Sequence, residues 1–262
     1  MFDFRLWRRS FAAAWEMLSD FPRLPERKKP FREPPPAAVL YWFPVIGALA
    51  GVSLALLGAF AAGISNRIAG ALIFGALSLA FFELKDSGRG TSMLCALLLA
   101  RLDGEAFSDT LPRLRAERGI LYAPPAQMMM LLLRTVRFAL FCLLGYCGAR
   151  FWLVGILIAS FSLQGDLATC GGAGGEAPLL AVTPEQRRCH RIFAAVLLAA
   201  LMLPGFPLAA VATGTVAWIL AGGYARMMER ECGGMNPDAI TMAGTLTEWT
   251  ALAIGILWAV RC

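Results

Sequence analysis

The run LYWFPVIGALAGVSLALLGAFAA, residues 40–62, decides the class of fold. It carries no charged residue over 23 positions, and a perpendicular bilayer span needs about 20 predominantly apolar residues. Similar runs recur at roughly 68–82, 126–147, 151–163, 192–203, 207–224 and 239–260. Residues 40–62, 126–147 and 239–260 are long enough to cross unaided, and the others are short. Pro204-Gly205-Phe206-Pro207 divides one long apolar stretch into a hairpin, because proline cannot continue a helix. The expected fold is an all-α, polytopic transmembrane helical bundle of about seven spans.

Composition agrees with that class. Hydrophobic residues make up 58% of the 262 and charged residues 16%, against about 45–50% and about 25% in soluble domains. The first long apolar run follows a charged leader with no small-residue cleavage site, so no separate signal peptide is expected. The chain divides into a basic leader, 1–36, and one transmembrane domain, 37–262. In the leader, Phe4, Trp7, Phe11, Trp15 and Leu18 fall at three- and four-residue steps, with bases on the other side. That pattern describes a helix lying against an anionic leaflet, or a leader that only enforces orientation.

Charge sets the orientation. With the leader cytoplasmic, seven spans place residues 85–118, 164–191 and 225–236 on the same side. Nineteen Lys and Arg then lie inside, and Arg67, Arg150 and Arg261 lie outside, as the positive-inside rule expects. The net charge of +6 is thereby read as topology and not as nucleic-acid binding. Seven scattered cysteines without a CxxC pair, and a single histidine, His190, leave no zinc site of ordinary ligand type. The thiols are read as small buried apolar groups.

Candidate chemistry lies on the cytoplasmic face. Phe81 to Ser92 packs Glu83, Lys85, Asp86 and Arg89 between two apolar runs. Charged groups at the end of a span need water, an ion or a charged ligand. Glu83 and Asp86, three apart, would share a face if the helix continued, and Lys85 and Arg89 a neighbouring one. Such carboxylates suit magnesium together with phosphate oxygens, or they pair with neighbouring bases and headgroups. Thr91 to Ala100 is apolar but too short to cross, residues 103–118 read as a charged amphipathic helix, and Gly165 to Gly175 as a flexible loop open to a phosphate. Arg134 and Arg137 fall within a span, where charges face the bundle interior or snorkel. Asp238, Thr241, Thr245 and Glu248 fall within about 80° of one another, a polar stripe along the last span. Asp238 also suits a helix N-terminus.

On these residues the chain resembles the cobalamin synthase (adenosylcobinamide-GDP ribazoletransferase) family. The likeness is carried by Phe21-Pro22-Arg23-Leu24-Pro25, by Phe43-Pro44-Val45-Ile46-Gly47, by the acidic stretch after the second span, and by Gly233-Gly234, Asp238, Leu246 and Glu248. The family carries two motifs after the second span: Asp-Gly-x-Ala-Asp-x-x-Asp-Gly, and about 20 residues later Lys-Asp-Ser-Arg-x-Gly-Thr. Here Asp86 falls near the first aspartate while Gly90 and Met93 stand where the next two would be. Lys85-Asp86-Ser87-Gly88-Arg89-Gly90-Thr91 is worded like the second motif with its arginine displaced. Pro237 replaces a glycine, and Thr245 a glutamate. The resemblance implies that α-ribazole, or its 5′-phosphate, attacks adenosylcobinamide-GDP and expels GMP, with Mg2+ assisting. It implies Asp86 and Glu83 as catalytic and metal-holding residues, and Lys85, Arg89, Arg134, Asp238 and Glu248 as substrate-binding. It places the protein in the bacterial inner membrane beside other corrinoid-assembly enzymes. The alternative is a non-catalytic relative serving as membrane scaffold or corrinoid-binding subunit. A solute transporter would show inverted repeats, and none is evident.

Overall fold

Among the described residues, seven passes of helix alternate in direction through one bundle. The structure, a computed structural model, describes residues 4–18, 34–64, 66–102, 104, 124–172, 177–232 and 234–261. The expectations for Phe21 to Pro25, for the 103–118 helix and for Gly233 lie outside these residues. The elements are α1 (Phe4–Leu18), α2 (Pro36–Leu40), α3 (Trp42–Ile64), α4 (Arg67–Leu84), α5 (Arg89–Leu102), α6 (Pro124–Tyr146), α7 (Trp152–Ala168), α8 (Pro184–Met202), α9 (Pro207–Cys232) and α10 (Pro237–Arg261). The all-α expectation is met.

Local chemistry fixes the helix starts. The Ala69 N–H donates to Asn66 Oδ1, and Thr183 with Gln186 forms a capping box ahead of Pro184. Pro207 opens α9 directly after the hairpin. α10 is capped by Asn236, whose Oδ1 accepts the Ala239 N–H at 2.8 Å. Asp238 lies within the first turn of α10 and is not its cap.

α7 is the axis of the bundle. Its mostly apolar sequence runs all the way round, and 16 of its 17 residues are buried, as expected of a helix enclosed by others. α3 packs against it with very close backbones: a Cβ on Gly47 would lie 2.5 Å from the Leu157 carbonyl oxygen, and one on Gly51 2.5 Å from Val154 Cα. This small-xxx-small spacing is how helices approach closely inside a membrane. Gly51→Leu is therefore expected to lower stability by about 1–3 kcal/mol through forced separation of α3 and α7, read as a lower melting temperature in detergent.

Among the described residues, five helical segments are long and apolar enough to cross a membrane: Pro36–Gly63, Arg67–Leu84, Pro124–Tyr146, Pro207–Arg230 and Pro237–Arg261. The other two expected spans, 151–163 and 192–203, lie in α7, which is shorter, and in α8, whose first turns are charged. Protein, not lipid, surrounds α7, so it needs no lipid-facing length. Leu56, Leu57, Phe60, Leu131, Trp218 and Leu257 are exposed around the perimeter, where a bilayer's tails would lie.

Contacts show which helix ends lie together. Arg67, at the start of α4, donates to the Tyr146 carbonyl at the end of α6 (2.9 Å). At the opposite end, the Met235 N–H donates to the Gly171 carbonyl (2.8 Å), joining the start of α10 to the end of α7. Gly165 of α7 packs on Phe43 and Leu40, so the start of α3 lies at that second end too. α1 also packs there: Trp7 and Phe11 set their rings 4.7 and 5.1 Å from Trp42. Part of the aromatic face expected to meet lipid thus meets α3.

The candidate site of opposed charges

The segment expected to leave the bundle after the second span stays inside it. α4 stops at Leu84, four residues turn, and α5 carries on beside α6. Glu83 lies against Arg134, Ser92 Oγ reaches Met130 Sδ at 3.6 Å, and Cys95 Sγ lies 3.4 Å from the Ala126 carbonyl. α4 and α5 are thus two parts of one broken pass. The break is made by Ser87 (φ 54°) and Gly88 (φ 73°), both left-handed. Lys85 and Arg89 lie on opposite sides of this break and do not share a helix face, whereas Glu83 and Asp86 both precede it, Glu83 in the last turn of α4 and Asp86 just beyond its end.

The break turns Lys85 inward. Its Nζ donates to Glu248 Oε1 at 2.6 Å, Arg137 Nη2 donates to Glu248 Oε2 at 2.6 Å, and Ser160 Oγ donates to Oε1 at 2.8 Å. Lys85 and Arg137 are 2% exposed and Glu248 1%. The Arg137 guanidinium also lies 4.5 Å from the centre of the Phe82 ring. Glu248 lies roughly 16–20 Å of helix from either end of α10, so this triad sits deep in the bundle and not at its inner-leaflet end. Glu248 is thus fully paired by two cations and a hydroxyl in an aromatic surround, a buried ion network in which Arg137 Nε alone has no hydrogen-bond partner.

Toward the surface, the same corner is built on Glu83. Its Oε1 accepts from Thr91 Oγ1 at 2.7 Å, and its Oε2 from Arg134 Nε at 2.8 Å. Asp86, 5% exposed, accepts the Gly88 N–H on Oδ1 (3.0 Å), and its Oδ2 lies 3.7 Å from Lys85 Nζ. Gly90 lets α5 abut α10: a Cβ there would collide with Thr245 Oγ1 and lie 2.8 Å from Asp86 Oδ2. Gly88→Ala would place a methyl 3.2 Å from Arg134 Nη2 in a left-handed residue. It is expected to cost about 1–2 kcal/mol and to separate Arg134 from Glu83, visible as a lower melting temperature.

The expected residues divide accordingly. Glu83, Lys85, Asp86, Arg134 and Glu248 come together; Arg89 is exposed at the start of α5. Asp238 is ten residues, about 15 Å, along α10 from Glu248, so the polar stripe does not bring it to the triad. Magnesium fits poorly. Both oxygens of Glu83 and one of Asp86 accept hydrogen bonds from the protein, and no group of three or more His, Cys, Asp and Glu side chains suited to a metal occurs among the described residues. Glu83 and Asp86 do not form the vacant carboxylate pair expected of them.

Thr91, Arg137 and Ser160 are the members not singled out as site residues. The placement of Arg137 within a span was a signal; Ser160 gave none. The expected 165–175 loop is also different, since Gly165 and Asp166 belong to α7. Asp166 is held by Arg187 (2.7 and 3.1 Å) and Arg191 (2.8 and 2.8 Å), two forked pairs tying α8 to α7. Burial pushes the nearby Cys170 thiol above its ordinary pKa, although Arg187 opposes the shift.

Fold and site together define a polytopic α-helical membrane protein with a charge network inside its bundle. No family model, no curated protein and no solved structure matches the chain.

Proposed function

We propose that this protein is a membrane-embedded ribazoletransferase, joining adenosylcobinamide-GDP to α-ribazole or its 5′-phosphate with release of GMP. The observation that carries this reading is the convergence of Lys85, Glu248, Arg134, Glu83 and Asp86 from three separate parts of the chain. The inner triad holds the corner rigid. The outer cations, Arg134 and Arg89, are exposed enough to meet a diphosphate, and Arg134 Nη2 lies against Gly88, next to Arg89. In the reaction the ribose hydroxyl oxygen bonds to the phosphorus bearing the corrinoid arm. The P–O bond to GMP breaks, the hydroxyl proton passes to Asp86, and the arginines neutralise the leaving phosphate. No step is assigned to magnesium, because the carboxylates present do not fit it. The basic leader and basic loops support an inner-membrane protein whose cytoplasmic end is the one where α3 and α10 begin, beside other corrinoid-assembly enzymes.

A second reading has its own support. Glu83 is fully occupied by Thr91 and Arg134, and a relative that only holds corrinoid at the membrane needs no free carboxylates. Two measurements on purified protein in liposomes separate the readings: GMP release from adenosylcobinamide-GDP with α-ribazole, and corrinoid binding by equilibrium titration. GMP release supports the transferase, binding without release selects the scaffold, and the absence of both ends the family reading.

A further inference from the structure

A cleft of about 390 Å³ opens between α7, α8 and α9, away from the charged corner. Its walls are nearly all apolar and built from small side chains, including Ala194, Ala199, Ala210 and Gly214. Exposed Val196, Val211 and Trp218 lie on the helices that form its walls, so the cleft belongs to the lipid-facing perimeter. It runs along α8 from His190 to Leu203, about 20 Å, of which the apolar part from Ala194 to Leu203 is about 14 Å. That is close to half the ~30 Å hydrocarbon thickness of a bilayer, or one leaflet.

One end of the cleft is polar. Asp166, His190 and Arg191 line it there. The first turns of α8 carry Arg187, Arg188 and Arg191 with Glu185, and Arg187 and Arg191 both bond Asp166, which leaves an excess of one positive charge at the start of a helix. His190, 1% exposed, leaves Nδ1 without a partner, and Ser162 Oγ is likewise buried and unpaired. An unpaired buried polar group is costly, and two of them flank the charged end of an otherwise apolar slot.

We propose that this cleft is a binding site for an anionic phospholipid. One acyl chain lies between α8 and α9, and the phosphate sits at the Arg191 end. An apolar groove one leaflet deep with a cationic mouth matches a phosphate-headed lipid, because anionic headgroups gather at basic surfaces.

The test uses the full chain in phosphatidylcholine vesicles containing phosphatidylglycerol with a photoactivatable acyl chain. Adducts are expected to concentrate in residues 194–199 and 210–218. Unlabelled phosphatidylglycerol is expected to compete several-fold better than phosphatidylcholine, an advantage that salt reduces. Gly214→Trp, which fills the slot, is expected to remove these adducts while labelling at Leu56, Leu57 and Phe60 persists. Even labelling of the whole apolar perimeter, or equal competition by the two lipids, would overturn the proposal. If Gly214→Trp does not fold, the competition in the native chain decides alone.

Discussion

Glu248→Ala is expected to destabilise the bundle by about 3–5 kcal/mol, because it leaves Lys85 and Arg137 as buried charges with no counter-ion. The penalty comes from the stranded cations more than from the lost attraction. Removing all three charges at once, as Lys85→Met, Arg137→Met and Glu248→Leu, is accordingly expected to recover most of the melting temperature lost in the single variant. Apolar replacement of a complete buried ion network is often neutral or stabilising. Thermal unfolding in detergent reads both changes. A single variant that melts like the native chain would mean that Glu248 is not the counter-ion of Lys85 and Arg137.

The second large effect concerns activity. Asp86→Ala is expected to reduce GMP release by about 10²–10⁴-fold, the usual contribution of a placed proton acceptor. Asp86 also caps the turn by accepting the Gly88 N–H, so loss of the side chain disturbs shape and chemistry together. Asp86→Asn separates them: its amide oxygen keeps the Gly88 hydrogen bond but takes up no proton at neutral pH. Equal losses in the alanine and asparagine variants assign the effect to proton transfer. Activity retained by asparagine assigns Asp86 to holding the turn.

The helical class was legible because apolar runs of membrane length admit few other folds, and caps such as Asn66 and Thr183 are local. The depth of the charged corner was not. Acids and bases after an apolar run normally mark its end, and nothing in the wording of Phe81 to Ser92 shows that α5 resumes the pass. That outcome depends on two left-handed residues and on a carboxylate 163 positions away. Arg137 stood in plain view within a span, yet its role is set by Glu248. The supposed metal pair failed because Thr91 and Arg134, from different helices, occupy Glu83.

Equilibrium titration measures directly the proposed grip of this corner on a diphosphate. Purified protein in liposomes, native and Arg134→Gln, would be titrated with adenosylcobinamide-GDP and with adenosylcobinamide lacking the diphosphate. The native chain is expected to bind the diphosphate-bearing corrinoid more tightly, and Arg134→Gln to lose that preference. Equal affinity of the native protein for both corrinoids would mean that the corner does not recognise the diphosphate.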